Sequence, residues 1–362
     1  MKAYVESMGC DSNIADANKV KKYLMANNVE LVSNPKDADY IFFMSCGFNK
    51  IVLNDNLARL EELKKTNAKI ILGGCIPKIK ESVTDTVDFF FNPRELEKLD
   101  EYFNYEFKMN NFSPSFEREG KKTIRISTGC EGNCTYCVIK RANGRTKSRP
   151  ICDIVKDIEK GLKEGFNKFI FTSEDTGSWG QDIGKNITDL MRSVNKIDGE
   201  FKVALTTFNP QWFMKYPEIY ELLKMGKIDE KIYLPLQSGS NKILKLMNRG
   251  YTVEDYLNIF NRLKKELPRI KIQVDVLVGF PKETSEDFNE TVKVLSELDV
   301  YFLQVFVYTD MEDVPSSKIT PKVPFELSKN RAKEIISSFL EKYKNDHKRL
   351  IHTNLNDLNS NN

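Results

Sequence analysis

The chain has 362 residues, 40% hydrophobic and 30% charged, with 55 Lys plus Arg against 52 Asp plus Glu and a net charge of +3. This length predicts two or three domains, the composition excludes disorder over most of the chain, and so small a charge excess argues against holding nucleic acid by charge alone. No apolar run is long enough to span a bilayer and Met1-Lys2-Ala3-Tyr4-Val5 enters strand-like sequence directly, so a cytoplasmic protein with no membrane association and no signal peptide is expected.

Along the first 112 residues, short apolar strands alternate with helices. Strands are predicted at 3–5, 40–44, 69–72 and 89–91, and helices at 14–25, with Ser12 as N-cap, and at 51–63. This alternation predicts a parallel sheet covered on both faces. The polar stretch 110–115 reads as a linker. From 120 to 346 the alternation resumes, with strands predicted at 123–127, 169–171, 203–205, 232–234, 270–278 and 302–307. Helices are predicted at 154–162, 187–194, 212–223, 241–247, 253–263 and 288–298, with a last charged helix at 328–344. Six such units predict a partial parallel barrel, (β/α)6, rather than an open sheet. The fold class is therefore α/β throughout, and the Asn-rich tail 347–362 is expected to be flexible.

Seven cysteines, an odd number in a reducing compartment, point to metal binding or catalysis rather than to disulfides. Cys130, Cys134 and Cys137 form C-x-x-x-C-x-x-C in a loop just after a predicted strand. Three thiolates this close can wrap one face of a cubane iron–sulfur cluster and leave one iron open, whereas such clusters usually take four cysteines. Zinc needs a fourth ligand nearby, and the two histidines, His347 and His352, lie near the C-terminus. Cys10, Cys46 and Cys75 each follow a predicted strand, with Gly9, Gly47, Gly73 and Gly74 beside them. Parallel strands bring their carboxyl ends to one edge, so these three are expected to converge on a second cluster with an open iron. A lone buried Cys is usually inert packing, and Cys152 is read that way.

The C-x-x-x-C-x-x-C loop resembles that of the radical S-adenosylmethionine (SAM) superfamily. The whole set of motifs resembles the radical SAM methylthiotransferase family: Met8-Gly9-Cys10, Ser45-Cys46, Gly73-Gly74-Cys75, Gly144-Arg145 with Ser148-Arg149-Pro150, Pro235-Leu236-Gln237-Ser238-Gly239-Ser240 and Gly279-Phe280-Pro281. Thr172-Ser173-Glu174-Asp175-Thr176-Gly177 is similar to the branch that modifies threonylcarbamoyladenosine in tRNA. The resemblance implies an N-terminal methylthiotransferase domain over 1–112 and a radical SAM barrel over 120–346, each with a [4Fe–4S] cluster. It implies a transferase that uses one SAM as methyl donor and a second as source of a deoxyadenosyl radical, and that replaces a substrate C–H hydrogen by a methylthio group.

The resemblance also implies roles for individual residues. Cys10, Cys46 and Cys75 would hold the auxiliary cluster, and Cys130, Cys134 and Cys137 the SAM-binding one. Tyr136 would lie against the adenine, Glu174 against the SAM amino group, and Asp175 near SAM or substrate. Gln237 and Ser238 would reach the ribose or the cluster edge, and Arg249 the SAM carboxylate, which an arginine grips in a two-pronged way. Asp275, a charge within an apolar strand, is expected to face a polar pocket. Trp179 and Trp212 carry no decisive signal, the first being a candidate for the substrate mouth. The basic run Lys140, Arg141, Arg145, Lys147 and Arg149 reads as a solvated face or a contact for a polar substrate.

Members that modify tRNA normally end in a small all-β TRAM domain, and the 16 residues after Asp346 are too few to form one. The expected substrate is therefore a peptide or protein side chain, such as a ribosomally made peptide, with tRNA threonylcarbamoyladenosine as the alternative and a non-enzymatic iron–sulfur protein as a distant third. A flavodoxin- or ferredoxin-type reductant and a monomeric state are also expected.

Overall fold

The computed structural model of the protein describes residues 1–346 and 348–353. The chain divides into two compact units: Met1–Glu131 with Val138–Val203, and Gly132–Cys137 with the chain from Ala204 onward.

The first unit opens on a parallel sheet. Strands β1 (Lys2–Met8), β2 (Glu30–Leu31), β3 (Tyr40–Ser45), β4 (Lys69–Gly74) and β5 (Phe89–Phe90) lie in the order β2-β1-β3-β4-β5, and every pairing is parallel. Strand β3 is central and apolar on both faces, as a doubly covered strand must be. Phe42 and Met44 pack with Tyr23 and Leu24 of α1 (Asp11–Ala26), whereas Ile41 and Phe43 pack with Leu60 and Leu63 of α2 (Lys50–Leu63). The short helices α3 (Ile76–Ile79) and α4 (Lys98–Phe103) complete this part. Ser12 is not the cap of α1. Cys10, in extended conformation, holds that position, and Ser12 is buried in the first turn.

The expected linker at 110–115 is ordered. A single 3-10 turn at Met109–Asn111 leads into β6 (Ser115–Arg118), which pairs antiparallel with β7 (Lys121–Arg125). The two residues between them, Glu119 and Gly120, both have positive φ, the geometry of a tight hairpin. Helix α1 packs on both strands, so compactness does not follow the change in composition near residue 115. The small ribbon β8 (Ser127–Thr128) and β9 (Lys147–Ser148) brackets the cysteine loop and α5 (Ile139–Asn143). Helix α6 (Ile151–Lys163) then leads to β10 (Lys168–Thr172), parallel to β7, and α7 (Ile187–Asn195) follows. Trp179 is fully buried, with its indole N–H donated to the Arg149 carbonyl, so it lines no mouth.

The chain crosses between units within β11 (Lys202–Leu205). In the second unit, the single helix expected at 212–223 is two, α8 (Gln211–Lys215) and α9 (Ile219–Leu223). Pro217 lies between them and disfavours helical geometry at Tyr216. The unit continues with β12 (Ile228–Tyr233), α10 (Asn241–Leu246), α11 (Val253–Glu266), β13 (Lys271–Val278), α12 (Ser285–Glu297), β14 (Phe302–Val307), α13 (Phe325–Lys342) and β15 (Leu350–Thr353). Its strands pair in parallel from β12 to β15. Capping boxes at Thr252 and Thr284 start α11 and α12. The tail differs from expectation where it is described, because β15 adds to β14; residues 347 and 354–362 lie outside the described residues. Among the described residues, no helix is long and apolar enough to cross a membrane.

Candidate functional site

Sheet register places the scattered cysteines. Met8 pairs with Ser45 and Ser45 with Gly74, so β1, β3 and β4 end level, and Cys10, Cys46 and Cys75 follow at one edge. Local hydrogen bonds hold that edge. The Cys75 N–H donates to the Ser45 carbonyl at 2.9 Å, the Asn13 amide to the same oxygen at 2.8 Å, and the Cys46 N–H to Asn56 Oδ1 at 2.9 Å. Cys46 and Cys75 are buried and Cys10 is exposed. The Cys75 thiol donates to Cys46, and the backbone N–H groups of Phe48, Cys10 and Gly47 also point at the Cys46 sulfur, together drawing its pKa down to about 7. The same contact, with burial, pushes Cys75 up.

Three cysteines at one sheet edge, two of them in thiol contact and one sulfur in a nest of N–H donors, suit an anionic iron–sulfur cluster, whose sulfurs take such hydrogen bonds. Among the described residues no trio of His, Cys, Asp or Glu closes on a point as a single ion requires. A cluster spreads its ligands over several irons and does not need that closure. Gly74 makes the approach possible. Its φ is +90°, and a Cβ there would overlap the Ser45 carbonyl oxygen. Gly74→Ala is therefore expected to destabilise the protein by about 3 kcal/mol or more, seen as a lower urea midpoint.

A buried network continues from Cys75 within this unit. The thiol approaches Asn143 Oδ1 at 3.8 Å. Asn143 Nδ2 donates to Glu174 Oε1 at 2.7 Å, as does Arg125 Nη2. Glu174 Oε2 accepts the Gly129 N–H at 2.9 Å, one residue before Cys130. The other arm of Arg125 pairs with Asp16 of α1. Both oxygens of Glu174 accept hydrogen bonds within the protein, and its carboxylate braces the cysteine loop. Asp175 is buried beside it, and its carbonyl accepts from the Ser178 backbone and hydroxyl. The Cys130 N–H is held by the Gly144 carbonyl at 3.2 Å. In the basic run, Arg145 pairs with Glu131, and Arg149 with Asp157.

The second unit holds Cys134 and Cys137. Arg249 donates through Nη1 to the Cys134 sulfur at 3.1 Å and through Nε to the Tyr251 hydroxyl at 3.1 Å. Its Nη2 is buried without a partner. A guanidinium with one arm on the Cys134 sulfur and an orphaned second arm suits a carboxylate ligand. Tyr136 is anchored edge-on against Phe280, in a cluster with Ile243 and Met247, which offers a fixed aromatic wall. Gln237 has a φ of +70°; its backbone bridges to β13 and its side chain is half-buried. Ser238 is tied into its own loop and to α12. It is buried, lies 3.4 Å from the Thr291 hydroxyl and accepts from the Ser240 N–H, which ties its loop to α12.

Asp275 faces a polar group on the strands. It pairs in register with Gln304, and the Tyr233 hydroxyl donates to its Oδ2. Its Oδ1 is buried without a partner, and burial holds the carboxyl well above the usual carboxylate range. Sequence reasoning missed Asp16, Arg125, Asn143 and Tyr233. Only Arg125 carried a signal, as a charge within the apolar run Thr123-Ile124-Arg125-Ile126.

Comparison with known proteins agrees with these features. The radical SAM superfamily matches residues 124–295, and an uncharacterised family, UPF0004, matches residues 2–90. A tRNA-2-methylthio-N(6)-dimethylallyladenosine synthase of Clostridium tetani is 30% identical over 92% of this chain and 80% of its own length. A probable threonylcarbamoyladenosine tRNA methylthiotransferase of Methanocaldococcus jannaschii is 30% identical over 88% of this chain and 78% of its own. A ribosomal protein uS12 methylthiotransferase of Thermosipho melanesiensis is 30% identical over 93% of this chain and 82% of its own. Among solved structures, the radical SAM methyltransferase TsrM of Kitasatospora setae shares the fold with a TM-score of 0.65 at 12% identity, over 87% of this chain and 74% of that one. The chain belongs to the radical SAM methylthiotransferase family, transferases that use SAM and [4Fe–4S] clusters.

Proposed function

We propose that this enzyme places a methylthio group on a modified adenosine of tRNA, the threonylcarbamoyladenosine reading being the better supported. The 172–177 motif carries the threonylcarbamoyladenosine reading; a relative with that printed activity is 30% identical over 88% of this chain, and one that modifies dimethylallyladenosine is equally similar. Against the expectation of a peptide or protein side chain, the relatives described above are named for tRNA or for a ribosomal protein, and none for a small peptide. A protein side chain remains the second reading, favoured by the uS12-modifying relative.

Cys10, Cys46 and Cys75 are the proposed ligands of one [4Fe–4S] cluster and Cys130, Cys134 and Cys137 of the other. When bound, these clusters and SAM supply the one-electron chemistry and the methyl and sulfur groups that are transferred. The chain's own side chains orient these groups. Arg249 grips the SAM carboxylate through its orphaned Nη2, Tyr136 walls the adenine, and the N–H nest steadies the charge on Cys46. Asp275 offers a buried polar contact, and Gln237 a half-buried amide, to SAM or substrate.

Arg249→Gln is expected to weaken SAM binding about 10- to 100-fold, the worth of a hydrogen bond to a charged group, read as KM for SAM in deoxyadenosine formation. The substrate assignment is tested by mass spectrometry of nucleosides from a host that lacks its own tRNA methylthiotransferases and expresses this chain. A 2-methylthio derivative of threonylcarbamoyladenosine is expected. An unmodified nucleoside pool, with uS12 gaining the mass instead, would overturn the tRNA reading.

A further inference from the structure

The first unit contains a cavity of about 690 Å³ between α1, α6 and the 110–115 segment, reaching down to Asp16 and Arg125. Its size falls within the range of ligand pockets, yet its walls are charged rather than apolar. Three of its carboxylates are already engaged: Asp16 with Arg125, Asp157 with Arg149, and Glu164 with Lys122. Glu97, Glu117 and Asp153 also line it.

Cations outnumber these acids. Lys156 and Lys160 reach Asp153 and Glu164 only at 4.0 Å. Lys22 donates to the Ser115 carbonyl and hydroxyl, each at 3.2 Å, and pairs with no carboxylate among the described residues. Lys147 is exposed on β9. Lys19 and Arg94 are the informative pair. Both are half-buried and line this cavity from separate elements, and neither side chain has a hydrogen bond or ion pair among the described residues. Burial lowers the Lys19 pKa even though Asp16 and Glu97 pull it upwards. Partly desolvating two cations without partners costs free energy, and a bound anion offsets that cost.

We propose that this cavity binds phosphate, as phosphodiesters of the RNA substrate's backbone, with Lys19 and Arg94 as the principal contacts and Lys22 and Lys147 flanking them. The proposal rests on the tRNA reading above. A tetrahedral phosphate is compact enough to enter the recess, whereas an acidic protein partner meets mainly the exposed rim lysines. The cavity wall includes Thr128, two residues before Cys130, so an RNA held here is anchored beside the cysteine loop. Such an anchor lets a chain of modest net charge hold RNA through a few well-placed cations.

The test compares the full-length protein with Lys19→Gln and Arg94→Gln. Binding of unmodified tRNA is followed by fluorescence anisotropy at several salt concentrations, and binding of inorganic tripolyphosphate by calorimetry. Each variant is expected to bind both ligands about ten-fold more weakly, on the order of one charge-assisted hydrogen bond. The salt slope of tRNA binding should fall by about one. Lys19→Arg and Arg94→Lys should keep most of the affinity, which separates lost charge from misfolding. Wild-type affinity for tripolyphosphate in both glutamine variants would overturn the site. Wild type that binds tripolyphosphate in a Lys19- and Arg94-dependent way but does not bind tRNA would uphold the phosphate site and sink the tRNA reading. If the glutamine variants bind both ligands normally and instead slow reduction by an acidic flavoprotein, the surface serves the reductant and the proposal is overturned.

Discussion

Alanine at Cys10, Cys46 and Cys75 together is expected to lower the iron of the anaerobically reconstituted protein from about eight to about four atoms per chain. The same variant should still form deoxyadenosine from SAM and should no longer transfer a methylthio group. The reason lies in the register of β1, β3 and β4. Met8, Ser45 and Gly74 stand level, so three residues far apart in sequence share one edge, with Cys46 and Cys75 in thiol contact. Alanine at Cys130, Cys134 and Cys137 should also remove about four irons but abolish deoxyadenosine formation. Iron and absorbance assays with product chromatography separate the cases. An unchanged iron content in the first variant would show that the level cysteines are packing, whatever their register.

The second large effect is on stability. Arg125→Met should cost about 3–5 kcal/mol, because it leaves buried carboxylates without their cation. The side chains concerned are almost sealed from solvent: Arg125 is 3% exposed, Asp16 4% and Glu174 7%. The pH dependence of this loss has a definite sign. Burial holds Asp16 above the ordinary carboxylate range even with Arg125 beside it, and Arg125 is what opposes the rise. Without the arginine, folded Asp16 binds a proton more readily than unfolded Asp16 does. The native state then binds more protons, so stability falls as pH rises through the folded pKa and is recovered as pH falls towards the ordinary value of about 3.9. Guanidinium unfolding should therefore show the Arg125→Met deficit shrinking as pH falls from neutral towards that ordinary value. Adding Asp16→Asn should recover part of the loss and flatten that dependence. A deficit below about 1 kcal/mol, the worth of an exposed pair, would show that the network is solvated.

Much of the fold is legible from local pattern. The central strand β3 announces itself as an apolar run, and α11 and α12 carry their capping residues in sequence. The misreadings have local causes too. Polar residues at 110–115 resemble a linker, but the hairpin that follows depends on Glu119 and Gly120 adopting positive φ, and only Gly is a sequence cue for that. Ser12 is a good N-cap by type, but the chain leaves β1 so abruptly that Cys10 takes the position. Strand β15 forms from a short tail because β14 offers it a free edge, which no local pattern reports.

The site divides in the same way. From its sequence alone this protein declares its six candidate cluster cysteines and its family, because ligand spacing in a loop and cysteines after strands are local features that survive without knowledge of packing. What the charged and polar side chains do was decided only by tertiary structure. Glu174 accepts from Gly129, Asn143 and Arg125, three partners far from it in sequence. Ser238 packs beside Thr291, whereas Arg249 and Asp275 are left with unpartnered buried atoms. The physical reason is distance along the chain. Arg125 meets Asp16 across 109 positions and Glu174 across 49, and which partner a buried charge finds depends on strand register and helix packing that no short motif encodes.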